Sequence, residues 1–287
     1  MRPSFPDTLA AAFPKRPTDL HKYTAGSVAV VGGSARYPHA PVIAALGARA
    51  AGAGLVQLAV PDASRAAAGA LVPEATILEQ TPAGAPPRAD VAAVGMGLGN
   101  SQDGEMRVSG ILSGSPGRFV LDADALGFLA KWHAAGSLPK AEGRTLVLTP
   151  HVGEAARLLA CTPAEIQSDR PAAVRRLADR YRATIVLKGP RTLVAAYGRD
   201  DVFENQAGNP FMALGGMGDL LAGVLAARWA YLVQNGPSPD AAFLAACAAV
   251  WLHAAASDAL VAADPPADPS IVNTAHALAS IRVALEK

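Results

Sequence analysis

Short β-branched runs, each ending in a glycine or acidic turn and followed by an alanine-rich helical pattern, constrain this chain more than any other feature. Ser27 to Val31 (SVAVV) runs into Gly32-Gly33-Ser34, and a helical segment follows from about Pro41 to Ala51. Gly52-Ala53-Gly54 stops that helix, and Leu55 to Val60 reads as the next strand. Strand, crossover helix and strand imply a parallel pair with a right-handed connection. Asp90 opens the theme again with DVAAVGMGLGNS, and Arg118 to Leu121, Thr145 to Leu148, Thr184 to Leu187 and Leu193 to Ala196 extend it. About eight strands alternating with eight or more helices predict an α/β fold, a three-layer α/β/α sandwich with a mostly parallel central sheet. No linker or repeat divides the chain, so a single domain over 1–287 is expected, with 1–25 as a proline-punctuated N-terminal lead-in.

Sheets of this kind bind ligands outside the carboxyl ends of their strands, so the residues that follow each strand are the candidates. The stretch Asn205 to Gly223, NQAGNPFMALGGMGDLLAG, is the most telling. Gly215, Gly216 and Gly218 can adopt positive φ and carry no side chain to block a phosphate. The helix predicted from Leu220 to about Val233 leaves unpaired N–H groups and the positive end of its dipole at that point. Asp219 stands there too. A carboxylate beside phosphate is electrostatically costly, so Asp219 reads as a base or a metal-associated group; the plainer alternative is a helix cap.

Other strand ends add weaker signals. Gly95, Gly97 and Gly99 let backbone line a pocket, though their spacing is not the dinucleotide fingerprint. Asp122-Ala123-Asp124 places carboxylates where they can orient a cation or polar ligand, and Asp124 doubles as a candidate cap for the helix through Lys131. His151 lies at a strand-to-helix junction in Thr149-Pro150-His151-Val152-Gly153-Glu154, as a ligand contact or a structural residue. In Lys188-Gly189-Pro190-Arg191-Thr192 the two cations suit phosphate or ribose, or an ordinary surface hairpin.

With 25 basic and 24 acidic residues the formal charge is +1, and there is no basic run. Nucleic acid and anionic membrane surfaces are therefore not expected partners. Cys161 and Cys247 are far apart, without CxxC spacing, and read as reduced core thiols of a cytoplasmic protein. The proline-broken N-terminus does not read as a signal peptide. Ala241 to Ala256 reads as a buried helix rather than a membrane span. A final helix from about Thr274 to Leu285 takes Asn273 as its expected N-cap.

Seven segments, GSVAVVGGS, AGAGLVQLAVP, VGMGLG, VLDADAL, LTPHVGEAARLL, VLKGPRT and ALGGMGDLLAG, occur in the order and spacing of one family. The sequence resembles the ADP-dependent NAD(P)H-hydrate dehydratases of the ribokinase-like superfamily, in their stand-alone form without the epimerase domain fused in some relatives. The resemblance implies repair of hydrated nicotinamide cofactors. ADP phosphorylates the hydroxyl of the S-form of NADHX or NADPHX, giving AMP, and phosphate then leaves to restore NADH or NADPH.

Carried over residue by residue, the resemblance makes Asp219 the general base and the backbone around Gly215, Gly216, Met217 and Gly218 an anion hole. Ala40, Gly97, His151 and Asp219 match the hydrate pocket. Lys188, Gly189, Pro190, Arg191 and Thr192, with Gly218, match the adenine-nucleotide contacts. Mg2+ is expected with the nucleotide phosphates, with no dedicated metal cage. The implied assembly is a homo-oligomer such as a tetramer, and the implied cooperating enzyme is a separate NAD(P)H-hydrate epimerase.

Two positions depart from the family pattern. Met217 replaces a usual hydroxyl residue, and Tyr37-Pro38-His39-Ala40-Pro41 replaces a Tyr-Thr-Gly-Ala pattern, which stiffens the loop before Ala40. An ATP-dependent small-molecule kinase of the same superfamily, acting on a vitamin precursor or sugar, would place its base in the same turn as Asp219; TPHVGE and VGMGLG favour the dehydratase. A non-catalytic nucleotide-binding regulatory protein would have no need of Asp219 and the three glycines.

Overall fold

The computed structural model describes residues 5–78, 88–114, 117–139, 143–236 and 238–287; the first four residues of the lead-in lie outside them. Nine strands are present among the described residues. They are β1 (Ser27–Val31), β2 (Leu55–Ala59), β3 (Thr76–Leu78), β4 (Val91–Val94), β5 (Gly117–Leu121), β6 (Arg144–Leu148), β7 (Thr184–Leu187), β8 (Leu193–Ala196) and β9 (Phe203–Glu204). They form one sheet in the order β3-β2-β1-β4-β5-β6-β7-β8-β9. The pairings from β3 through β7 are parallel, and β8 and β9 add an antiparallel edge. Two short strands exceed the sequence expectation, β3 and β9, because runs of three and two residues carry too little pattern to read.

The central strands are buried on both faces and alternate strictly between them, while β2, β3 and β9 toward the edges are partly exposed. Val28 and Val30 of β1 enter one core while Ala29 and Val31 enter the other. The first core is closed by α1 (Ala40–Ala50), α2 (Arg65–Leu71), α8 (Met217–Asn235), α9 (Ala241–Val261) and α10 (Ile271–Leu285). The second is closed by α3 (Gln102–Gly114), α4 (Asp124–Ala134), α5 (Val152–Leu159), α6 (Pro163–Ser168) and α7 (Arg170–Tyr181). This is the three-layer arrangement the alternation of strands and helices predicts.

The helix Ala241–Val261 is 21 residues long and apolar enough to cross a bilayer, with a mean hydropathy of 1.6 in its most apolar stretch. In the fold 72% of that stretch is buried, among α8, α10, the sheet and a 3-10 helix, Asp7–Ala12, of the lead-in. Two expected caps are corrected. Ser270, not Asn273, caps α10, because its side chain accepts the Asn273 N–H and the helix starts at Ile271. Ala123 is the N-cap residue of α4 and makes no side-chain cap; Asp124 is the first helical residue and points elsewhere.

Two features aim the fold at one edge. Strand order reverses between β1 and β4, so the helices that follow these two strands, α1 and α3, pack on opposite faces of the sheet. Helices α1 and α8 touch backbone to backbone: a Cβ on Gly47 would lie 2.2 Å from Leu220 O, and one on Gly223 would lie 1.8 Å from Ala44 O. Only glycine permits that approach, and it brings Gly216, at the start of α8, against Ile43 of α1.

At the far ends of the same helices, Glu286 accepts from Arg16 Nε at 2.7 Å, from Arg282 Nη1 at 2.5 Å and from the fully buried Arg228. Three guanidiniums exceed one carboxylate, and carbonyl oxygens take the surplus donors. Arg16 bonds Gly52 O at 2.8 Å and Arg282 bonds Ala50 O at 3.1 Å, capping the C-terminus of α1, while Arg228 bonds Ala12 O.

Candidate active site

β5 ends in the turn Asp122-Ala123-Asp124, where Ala123 adopts φ 51° and ψ −118°, a conformation that strains a residue with a Cβ. The turn seats against Gly95, where any Cβ would fall 2.0 Å from Asp122 O. The strain has a use: it sends two neighbouring carboxylates to different tasks. Asp124 Oδ2 accepts the Gly99 N–H at 2.8 Å and so fixes the glycine loop after β4. Asp122, only 2% exposed, accepts from Lys188 Nζ at 2.7 Å through Oδ1, while Oδ2 faces Gly218.

Lys188 comes off the end of β7 and is anchored by its own N–H to Pro150 O at 2.8 Å. Its ammonium is also 4.0 Å from Glu154 Oε2. Burial alone would lower its pKa, but Asp122 and Glu154, with Asp219, outweigh burial and hold it above the ordinary lysine value. Lys188 is therefore a fixed cation at neutral pH. Glu154 is itself pushed upward by burial and by Asp122, against the pull of Lys188.

His151 and Glu154 form a reciprocal cap at the start of α5. Glu154 Oε2 accepts the His151 N–H at 2.8 Å, and His151 Nδ1 accepts the Gly153 N–H at 3.0 Å. Burial, then Lys188 and Arg157, lower the imidazole pKa. A neutral ring whose Nδ1 is an acceptor carries its proton on Nε2, so half-exposed His151 presents an N–H donor.

Asp219 occupies the third position of α8. The N-cap residue is Gly216, at φ 93°, which has no side chain to cap with, and Asp219 is the acidic residue of the first turn, at the positive end of the helix dipole. Burial raises the Asp219 pKa to about 7, with Asp122, Asp124 and Glu154 adding to the rise and Lys188 opposing it. Four acidic groups and one lysine thus share a small volume, and Asp219 titrates near neutrality within it.

Of the four residues of the turn, Gly215 has open space around it, and a Cβ on Gly218 would lie 3.3 Å from Lys188 Nζ. The Met217 N–H turns back to Leu214 O at 3.3 Å, and the donors that the helix start leaves over are those of Gly216, Gly218 and Asp219. The Met217 side chain, 5% exposed, lies in the first core and takes no part in the turn.

A second group lies where the segments after β1 and β4 meet. Gly97, at φ 68°, would place a Cβ 2.7 Å from Tyr37 Cβ and 3.0 Å from Ala40 Cβ. Ala40 opens α1, with half-exposed Tyr37 beside it. The fold therefore brings Ala40 and Gly97 together, and separately brings Lys188, Gly218, Asp219 and His151 around Asp122 and Glu154.

The turn 188–192 lies between β7 and β8. Thr192 Oγ1 donates to Gly189 O at 2.9 Å, and Arg170 of α7 donates to Leu187 O at 3.2 Å and to Pro190 O. Arg191, at φ 55°, is solvent-facing and pairs with Gln206 at 2.6 Å and with Glu204. Asp122 was read from sequence only as one of two strand-end carboxylates able to orient a ligand, and Glu154 and Arg170 were not read as site residues. Asp122 carries a readable signal, an acidic residue directly after an apolar strand, and Glu154 one of its own, a Glu three residues after the helix-opening His151; Arg170 carries none, because its partners are carbonyl groups far along the chain.

Comparison with known proteins places the chain in a family. The family described as NAD(P)H-hydrate dehydratase matches residues 28–277. The ADP-dependent (S)-NAD(P)H-hydrate dehydratase of Neisseria meningitidis serogroup B is 41% identical over 252 residues, covering 86% of this chain and 81% of that protein. The bifunctional NAD(P)H-hydrate repair enzyme of Gloeobacter violaceus is 37% identical over 270 residues, and the chain spans 50% of its length. Among solved structures, the ADP/ATP-dependent NAD(P)H-hydrate dehydratase of Bacillus subtilis, co-crystallized with ATP/Mg2+, is similar at a TM-score of 0.79 and 28% identity. That match covers 96% of this chain and 94% of the other.

Proposed function

Because the chain belongs to the NAD(P)H-hydrate dehydratase family, we propose that it carries out the ADP-dependent dehydration of the S-form of NADHX and NADPHX at the site around Asp219. The observation that carries this reading is a carboxylate with a pKa of about 7 at the start of a glycine-led helix, beside a fixed lysine. A base so tuned is ionised for a useful fraction of the time at neutral pH, yet basic enough to take a hydroxyl proton.

Asp219 accepts the proton of the hydrate's hydroxyl as that oxygen attacks the terminal phosphorus of ADP and AMP departs. Hydroxide is a poor leaving group and phosphate a good one. The carbon–oxygen bond then breaks with its electrons going to phosphate, the ring nitrogen pushes in its lone pair, and the adjacent carbon loses a proton to restore the double bond. The Gly218 and Asp219 N–H groups, the dipole of α8 and Lys188 stabilise the transferring phosphoryl group.

Lys188, Gly189, Pro190, Arg191 and Thr192, with Gly218, hold the nucleotide, and Ala40, Gly97 and His151 hold the hydrate. The absent side chain of Gly97 lets its backbone close on Tyr37 and Ala40, and His151 Nε2–H offers the hydrate a donor from the group around Lys188. Among the described residues no group of three or more His, Cys, Asp or Glu side chains forms a metal cage. Mg2+ bound to the nucleotide phosphates would meet Asp122 Oδ2, the oxygen facing Gly218, and would neutralise phosphate charge there.

The same reading takes 1–287 as one domain whose lead-in folds back through Arg16, and takes the chain as a cytoplasmic homo-oligomer, a tetramer, working with a separate epimerase. Free thiols at Cys161 and Cys247 support the reducing compartment.

The test is to mix purified protein, Mg2+ and hydrated NADH with ADP or ATP and follow the return of reduced-nicotinamide absorbance. Recovery with ADP and formation of AMP are expected. Absence of recovery with either nucleotide overturns the assignment, and phosphorylated hydrate that persists would make the protein a kinase.

A further inference from the structure

The loop 205–216 joins the two halves of the nucleotide site. It begins where the Asn205 N–H donates to Thr192 O at 2.9 Å, and it ends at Gly216, where α8 starts. Between these points Gln206, Gly208, Pro210, Ala213 and Leu214 are exposed, and Phe211 is 64% exposed. Apolar burial therefore does little to fix its path.

Polar ties to α9 fix it instead. Asp258 Oδ2 accepts the Gly208 N–H at 2.8 Å, and Asp258 Oδ1 accepts from Asn209 Nδ2 at 2.7 Å. Asn209 Nδ2 also meets the Oγ of Ser257, a fully buried residue, at 3.1 Å. The same amide's Oδ1 accepts the Phe211 N–H at 3.1 Å and so caps the 3-10 helix Pro210–Met212. One aspartate on a core helix thus holds two consecutive residues of an otherwise solvent-facing loop, and charge-assisted bonds of this kind are stronger than neutral ones.

We propose that Asp258 is a positioning residue for the nucleotide: by clasping Gly208 and Asn209 it sets the distance between the 188–192 turn and the start of α8, so that both grip one diphosphate. The inference rests on the assignment of those two segments to ADP. Asp258 itself touches neither nucleotide nor hydrate; it acts through Asn209 and the loop.

The pattern of donors and acceptors supplies a sharp test. Asn209→Asp alone sets two carboxylates face to face. Asp258→Asn alone turns one amide NH2 toward another. The exchange Asn209→Asp with Asp258→Asn restores every bond: the new amide donates to the new carboxylate and still accepts from Gly208, and the carboxylate still accepts from Phe211.

The measurements are the calorimetric Kd for ADP with Mg2+, and the KM for ADP and for hydrate in the repair assay, with thermal denaturation run alongside. Asp258→Ala and Asn209→Asp should each weaken ADP about tenfold, the scale of a lost charged hydrogen bond, while the KM for hydrate stays within about twofold. The exchange variant should return ADP binding to within about threefold of wild type. Unchanged ADP binding in Asp258→Ala overturns the inference, as does an exchange variant no better than its parents, or an equal rise in both KM values. Wild-type protein that binds ADP but repairs nothing would sink the proposed reaction and leave the positioning test intact. Wild-type protein that binds no ADP sinks both.

Discussion

Lys188 Nζ sits 2.7 Å from Asp122 Oδ1 in a pair where the carboxylate is buried and the ammonium side chain is 20% exposed. The pair stands between the strand ends and the first turn of α8, and its two charges pull Asp219 in opposite directions.

Removing the lysine leaves a buried carboxylate without its partner, which costs more than the pair contributes. Lys188→Met should lower stability by about 3 kcal/mol, read from the denaturant midpoint, and Asp122→Asn added to it should restore most of that loss. Asp122→Asn alone takes away a negative charge that lifts Asp219. The acid limb of its kcat/KM profile should therefore move to lower pH, and a limb that stays in place would disconnect Asp122 from the base.

Asp219→Asn removes the proton acceptor. Turnover should fall by about 10²–10⁴-fold, the scale of general-base catalysis, with nucleotide binding kept. The wild-type kcat/KM should rise with pH through about 7 as Asp219 ionises. Stability runs the other way. Between the ordinary carboxylate value of 3.8 and about 7 the folded protein holds a proton that the unfolded chain has released, so stability falls as pH rises across that window. Above it, Asp219→Asn should be more stable than wild type by about 2 kcal/mol, after allowance for solvent screening. Equal stability at pH 8 together with near-normal turnover would remove Asp219 from the chemistry.

Met217→Ser restores the hydroxyl usual in the family but takes a buried thioether out of the core. The expected result is a loss of about 2–4 kcal/mol in thermal or chemical unfolding, with turnover per folded molecule within about twofold of wild type. A clear gain in ADP affinity would show the new hydroxyl reaching the turn against the packing seen here.

The layered architecture was legible because parallel strands buried on both faces must be continuous apolar runs, and β1, β4 and β7 are such runs. Asp219 and the glycines stood out because glycines and a lone acidic residue fall together just before an apolar helical pattern, and the start of α8 lies there. What escaped was long-range. The pairing of Asp122 with Lys188 joins residues 66 apart, and the clasp of Asp258 on Gly208 joins residues 50 apart. Neither leaves a periodic trace. Met217 was opaque for another reason: whether its side chain faced the turn or the core depended on the pitch of α8 against the sheet, which no local pattern encodes.

The bond network around Glu286 also has a consequence for motion. α1 and α8 are in backbone contact at 44–48 and 220–224, and Arg228, Arg282 and Arg16 rivet their far ends to the last turn of the chain. With neither end able to slide, the two helices move as one plate carrying Ala40 and Asp219 at its rim. The final helical turn, 270 residues from the Arg16 it grips, thereby fixes the rim on which Ala40 and Asp219 stand.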